Sequence, residues 1–239
     1  MDSPVTDRLP PSGPASPSVI FDLDGTLLDT LPDLHASMAR TLARFGLPGH
    51  TPDEVRAMVG SGIARLVRDA LPEDRRDEGF VREVRAAFKS DYSAHQLDLT
   101  RPYAGVPELL DALRSMGWAM AVLSNKDHEN TVAICGHFFP GAFAAVLGAS
   151  PSRRPKPDTG GAAELLGLLR RPAGGVFYLG DGENDMLVAK ALGLHAVGAG
   201  WGFRSPAALV GAGADAVLDA PLDFLKIWRD LRGPDASQA

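Results

Sequence analysis

Apolar residues recur along this chain with two different periods, and the order in which the periods change predicts its architecture. The first apolar run, Val19-Ile20-Phe21, is short and continuous, as in a strand buried on both faces, and leads directly into Asp22-Leu23-Asp24-Gly25-Thr26-Leu27-Leu28. After Thr30-Leu31-Pro32, the spacing of Leu34, Met38, Leu42 and Phe45 predicts an amphipathic helix that stops at Gly46. Helical patterns continue over Val55 to Met58, Ile63 to Leu71 and Phe80 to Tyr92, punctuated by Gly60, Pro72 and Gly79, with no strand-like run between them. From Arg101-Pro102-Tyr103 onward, apolar strands at Trp118 to Leu123, Ala144 to Leu147, Val176 to Leu179, Ala196 to Val197 and Ala216 to Leu218 alternate with helical segments. That alternation predicts an α/β fold with a doubly wound parallel sheet, built from residues 18–30 and 101–232, with residues 31–100 inserted as an all-helical lobe. Residues 1–17 contain five prolines and no apolar h-region, so a disordered extension is expected there rather than a signal peptide. Residues 233–239 are expected to form a flexible tail.

Composition narrows the functional classes. The chain has 239 residues, 45% hydrophobic and 23% charged, with 30 Asp and Glu against 24 Lys and Arg. This acidic balance argues against a general nucleic-acid binder, which would carry a basic footprint, but leaves small anionic ligands open. The arginines of the lobe are interleaved with acids, the pattern of solvated helix faces. A single cysteine, Cys135, excludes an intramolecular disulfide framework and a thiolate zinc site; a reducing, cytoplasmic compartment is the simplest expectation. No apolar stretch reaches the roughly 18 residues that a membrane span needs.

The candidate chemistry sits where predicted strands end. Alternation turns Asp22 and Asp24 to the same side of the first strand tip, and Gly25 lets the chain turn away without crowding them. Two ionised carboxylates about 4 Å apart would repel by roughly 4 kcal/mol at an effective dielectric near 20, so the pair calls for a cation, a shared proton or both. Neighbouring tips offer complements. Ser124-Asn125-Lys126 supplies a hydroxyl, an amide and backbone N–H groups, although Ser-Asn is also an ordinary helix cap and Lys126 an ordinary surface cation. Lys156 is held between Pro155 and Pro157 in an extended loop, where its ammonium could offset the carboxylates. Gly180-Asp181-Gly182-Glu183-Asn184-Asp185 adds a second acidic cluster, suited to a hard divalent ion such as Mg²⁺. Gly198-Ala199-Gly200-Trp201-Gly202-Phe203 reads as a tight loop beside the site, since it lacks the context of a dinucleotide fingerprint. The six histidines show no metal-ligand spacing.

The ordered set Asp22-x-Asp24-Gly25-Thr26, Ser124-Asn125, Lys156-Pro157 and Gly180-Asp181 with Asp185 resembles the haloacid dehalogenase-like hydrolase superfamily, from Ser18 to about Leu231. The helical insertion is similar to that family's C1 cap. Asp29-Thr30, Tyr103-Ala104-Gly105-Val106-Pro107, Ser124-Asn125-Lys126 and Trp201-Gly202 are similar to its phosphoglycolate phosphatase branch, whereas Gly182-Glu183-Asn184-Asp185 is closer to the form in phosphoserine phosphatases. The resemblance implies an Mg²⁺-dependent phosphatase with a Rossmann-like core, acting on a small phosphorylated metabolite, 2-phosphoglycolate in first place, as a monomer or homodimer. It implies that Asp22 attacks phosphorus to form an aspartyl-phosphate and that Asp24 handles protons. Asp22, the Asp24 carbonyl and Asp181 would hold the metal with Asp185 in support, while Thr26, Ser124, Asn125 and Lys156 would bind the substrate. Pyrophosphate, nucleotides, other sugar phosphates and hexose-phosphate mutation remain alternatives. A non-catalytic binding protein of the same fold is disfavoured because no acid of the first or fourth motif is lost. Dehalogenases of the superfamily do not need the second acid, so Asp24 counts against them. Phosphonoacetaldehyde hydrolases use a cap lysine as a Schiff base, and here the cap offers only Lys89.

Overall fold

The computed structural model describes residues 17–170 and 173–232; the expected extension at 1–17, apart from Pro17, and the expected tail at 233–239 lie outside the described residues. β1 (Ser18–Phe21) is followed by the two-residue β2 (Leu28–Asp29) and by α1 (Leu31–Arg44), α2 (Pro52–Met58), α3 (Ile63–Ala70) and α4 (Glu78–His95). The chain returns through β3 (Arg101–Pro102) and then alternates as α5 (Val106–Ser115), β4 (Ala119–Asp127), α6 (His128–Phe138), β5 (Ala145–Ala149) and α7 (Gly160–Leu169). It closes with β6 (Val176–Gly180), α8 (Glu183–Ala191), β7 (His195–Ala199), α9 (Pro206–Gly211), β8 (Ala216–Leu218) and α10 (Phe224–Arg232).

Among the described residues, six strands form one parallel sheet in the order β5-β4-β1-β6-β7-β8. The period-2 pleat distributes each central strand between two cores. Val19 and Phe21 of β1, Met120 and Val122 of β4, and Phe177 and Leu179 of β6 pack with Leu109, Leu113, Ile134 and Phe224 on one face. Ile20, Ala121, Leu123, Val176 and Tyr178 pack with Leu165, Met186, Val188 and Leu209 on the other. Burial on both faces explains why these strands read as continuous apolar runs. The expected α/β doubly wound architecture is therefore the observed one.

The four helices between β2 and β3 enclose a third core of Leu34, Met38, Leu42, Val55, Leu66, Val67, Val84 and Phe88. Local signals set their starts. Thr51 and Glu54 make a reciprocal capping box ahead of α2, and Asp77 accepts the Phe80 N–H at 2.9 Å ahead of α4. Where this lobe joins the sheet, the buried carboxylate of Asp33 accepts the N–H groups of Leu99 and Thr100 and the Thr100 hydroxyl at 2.8–3.1 Å. Outgoing and returning segments are thus clamped together, and β2 pairs antiparallel with β3 beside the clamp.

Two differences from the sequence expectation matter. The β2/β3 pair is too short for a hydrophobic period to reveal it. β4 does not stop at Leu123 but runs through Ser124-Asn125-Lys126 to Asp127, with a register shift against β5 between Leu123 and Asp127. Polar residues there remain extended because the site, not solvent, meets their side chains.

Phe177 is fully buried and packs edge-on against Phe224 with ring centroids 5.3 Å apart. Phe177→Ala should destabilise the protein by about 3–5 kcal/mol, because the cavity collapses only partly. The check is a lower urea midpoint at unchanged m-value.

Candidate active site

Because β1 is flanked by β4 and β6, the C-terminal ends of these three parallel strands converge, as expected at the switch point of such a sheet. A cavity of about 230 Å³ lies there, closed over by the lobe, and Asp22, Asp24, Ser124, Asn125, Lys156, Asp181 and Asp185 all line it. Its centre is a buried ion cluster. The Lys156 ammonium lies 2.7 Å from Asp22 Oδ1, donates to Asp185 Oδ1 at 2.7 Å and donates to the Leu123 carbonyl at 3.0 Å. All three of its N–H groups thus have partners. Burial works against this charge, but Asp185 and Asp22 outweigh it and hold the ammonium well above the usual lysine range.

One ammonium does not balance three buried carboxylates. Burial and the nearby Asp185 push the Asp22 carboxyl well above the usual carboxylate range, with Lys156 pulling against them. Asp181 is pushed up to about 7 by burial and by Asp185, although the Phe203 N–H, Lys156 and the Thr26 hydroxyl oppose the shift. Carboxylate oxygens of Asp22, Asp181 and Asp185 lie within 4.8 Å of one another. An all-oxygen donor set with surplus negative charge fits a hard divalent cation.

Each acid is fixed by its own loop. Asp181 accepts the Thr26 hydroxyl at 3.2 Å and the Phe203 N–H at 2.7 Å. Asp185, the third residue of α8, accepts the Gly182 N–H at 3.0 Å at the start of that helix and also steadies Lys156. Gly25 adopts φ +83°, and a Cβ on it would strike the Asp181 carboxylate. A Cβ on Gly202 would collide with Asp181 Cβ and the Gly25 carbonyl. Both glycines are there for close approach.

Several sequence expectations change. Thr26 was expected to contact substrate; instead it is fully buried, its hydroxyl donates to Asp181, and it does not line the cavity. The reason is the tight turn after Gly25, which points it beneath the acid rather than toward the opening. Asn125 lines the cavity, but its amide clasps backbone: Oδ1 accepts the Lys156 N–H at 2.6 Å, while Nδ2 donates to the Lys156 carbonyl at 3.1 Å and the Gly60 carbonyl at 2.9 Å. Ser124 Oγ accepts the Lys126 N–H at 3.2 Å. Lys126, read from sequence as a surface cation, has a 7% exposed side chain and pairs with Asp24 Oδ1 at 2.6 Å. Burial opposes its charge, yet Asp24 and Tyr92 outweigh that and raise it above the usual lysine range. Only its place beside Ser124-Asn125 on a strand tip could have signalled this.

Arg204 was also missed. It bridges core and lobe, donating to the carbonyls of Arg56 (3.0 Å), Ala57 (3.3 Å) and Val59 (2.5 Å) at the end of α2, with Glu183 3.4 Å away. Together with the Asn125–Gly60 bond, it holds the α2–α3 loop over the cavity. Lys89, by contrast, lies outside the cavity lining and pairs with Asp127 at 2.8 Å.

Gly202→Ala should displace Asp181 and lower turnover at least about tenfold while circular dichroism stays native, since small misplacements of a charged group are amplified in rate. Wild-type turnover in that variant would contradict the close-approach argument.

The haloacid dehalogenase-like hydrolase family model matches residues 19–199. A phosphoglycolate phosphatase from Agrobacterium fabrum (strain C58) is 33% identical over 214 residues, covering 87% of this chain and 90% of that protein. A phosphoglycolate phosphatase from Aquifex aeolicus is 30% identical over 210 residues, covering 87% and 95%. The crystal structure of a candidate phosphoglycolate phosphatase from Lactobacillus delbrueckii subsp. bulgaricus, 27% identical, matches with a TM-score of 0.83 over 92% of this chain and 100% of that one. With its parallel sheet, strand-tip acids and inserted helices, this chain belongs to the haloacid dehalogenase-like hydrolase family.

Proposed function

We propose that this phosphatase hydrolyses a small phosphate monoester, 2-phosphoglycolate first among them, through a phosphorylated Asp22. The observation that carries the reading is the convergence of Asp22, Asp181 and Asp185 around the Lys156 ammonium, next to a second acid, Asp24, at the mouth of one cavity. The named substrate follows that of the relatives from Agrobacterium fabrum and Aquifex aeolicus. A cavity of about 230 Å³ supports it, being smaller than the roughly 300–1,000 Å³ of sites for drug-sized ligands and therefore poorly suited to a nucleotide.

In this mechanism an Asp22 carboxylate oxygen attacks phosphorus in line, and the phosphorus–ester oxygen bond breaks as Asp24 gives its proton to the leaving oxygen. Water then attacks the phosphorylated Asp22, losing its proton to Asp24 while the bond from phosphorus to the Asp22 oxygen breaks. Lys156 and the Ser124 hydroxyl stabilise the phosphoryl oxygens, with Asn125 holding the Lys156 backbone in place. Asp22, the Asp24 carbonyl and Asp181, with Asp185 alongside, would hold Mg²⁺, which would supply further positive charge against the phosphoryl oxygens.

Phosphate release from 2-phosphoglycolate should require Mg²⁺ and fall to background in EDTA. Asp22→Asn should lower kcat by at least about a thousandfold, because the attacking atom is removed; undiminished activity in either case would sink the reading. Metal binding should also depend on pH with a definite sign. Burial and Asp185 push the Asp181 carboxyl up to about 7, and it must be ionised to hold a cation, so Mg²⁺ affinity by calorimetry should weaken as pH falls from about 8 to about 6.

A further inference from the structure

Besides the charge cluster around Lys156, the cavity contains polar groups for which the mechanism has no use. Lys126 and Tyr92 both line it. The Lys126 ammonium lies 2.6 Å from Asp24 Oδ1 and over the Tyr92 ring, 4.7 Å from its centroid. Tyr92 comes from α4 of the lobe and stacks on Phe88, with ring centroids 5.9 Å apart and planes 7° from parallel. It is 2% exposed, yet its hydroxyl has no hydrogen-bond partner. Buried polar groups are nearly always partnered, so a hydroxyl left alone in a cavity wall calls for a group supplied from outside. Lys126 has three N–H donors, of which Asp24 takes one. A cation and an unpartnered hydroxyl therefore stand together beside Asp24.

We infer that Lys126 and Tyr92 form a subsite for a carboxylate on the leaving group, making the enzyme selective for phosphate esters of short 2-hydroxy acids over esters of uncharged alcohols. The inference rests on the phosphatase reading above, which fixes where the leaving oxygen must lie. To receive a proton from Asp24, that oxygen sits within about 2.6–3.2 Å of the Asp24 carboxyl. Lys126 touches the same carboxyl. A carboxylate whose carbon is two bonds from the ester oxygen then falls within reach of the ammonium and, on its other oxygen, of the Tyr92 hydroxyl. An uncharged alcohol leaves the Tyr92 hydroxyl and the remaining Lys126 N–H groups without a partner, and a site built for hydrogen bonding rejects such an analogue far more strongly than an apolar pocket rejects a missing methylene. Charge also argues for this pairing. A carboxylate enters a buried site only beside a cation, and Lys156 is already surrounded by Asp22, Asp185 and the Leu123 carbonyl.

The test compares kcat/KM for 2-phosphoglycolate and for ethyl phosphate, which replaces the carboxylate by a methyl group, with Mg²⁺ present. Wild type should prefer 2-phosphoglycolate by about a hundredfold or more. Lys126→Met should reduce that preference at least about tenfold, Lys126→Arg should retain most of it, and Tyr92→Phe should reduce it through a higher KM for 2-phosphoglycolate alone. Tyr92→Phe leaves the Asp24–Lys126 pair in place and so carries the test if Lys126→Met fails to fold. An equal fall on both esters in Lys126→Met and Tyr92→Phe, or no preference in wild type, overturns the subsite while leaving the phosphatase reading standing. Failure of wild type to release phosphate from either ester, or from an aryl phosphate, overturns the phosphatase reading and the subsite with it.

Discussion

The structure depends on one electrostatic constraint: three carboxylates, Asp22, Asp181 and Asp185, are buried around a single ammonium, Lys156. Taking such groups out of water is costly unless each lone pair and proton finds a partner. Much of the local architecture serves that requirement. Thr26 and the Phe203 N–H steady Asp181, the Gly182 N–H steadies Asp185, and the Leu123 carbonyl accepts a hydrogen bond from the remaining Lys156 N–H. Even so, surplus negative charge remains, and burial together with that charge keeps Asp22 and Asp181 above the ordinary carboxylate range. A site left in that condition is prepared for a cation and for an anionic substrate carried with it.

The sheet order makes this cluster attainable. With β1 between β4 and β6, the tips that carry Asp22, Ser124 and Asp181 are neighbours, and the Lys156 loop folds back across them. The helical lobe completes the enclosure. Asp33 clamps its two connections, while Asn125 and Arg204 hold the α2–α3 loop by its backbone carbonyls. Backbone carbonyls as the points of attachment let the loop side chains vary without loosening the lid.

Much of this was legible in the residue order. Continuous apolar runs in Val19-Ile20-Phe21 and Val176-Phe177-Tyr178-Leu179 announced strands buried on both faces, and the acids after them marked the tips. The lobe was legible from helical periods without strands. What escaped notice depended on long-range partners. Lys126 could be read as a surface cation because its partners, Asp24 and Tyr92, lie 102 and 34 positions away in the chain, and charged residues are usually exposed. Arg204 binds backbone carbonyls, which carry no sequence signal. Thr26 stood in a motif that suggested substrate contact, but the turn at Gly25 directs its hydroxyl to Asp181.

The sequence by itself determined the kind of chemistry and where along the chain it resides, since strand periods and acid spacing are local properties. Tertiary structure alone decided which charges meet. Only the closed fold brings Lys156 between Asp22 and Asp185, buries Lys126 against Asp24 and Tyr92, and joins lobe to core through Arg204. The physical reason is that the state of a charge depends on distance and burial, which the linear order of residues does not contain.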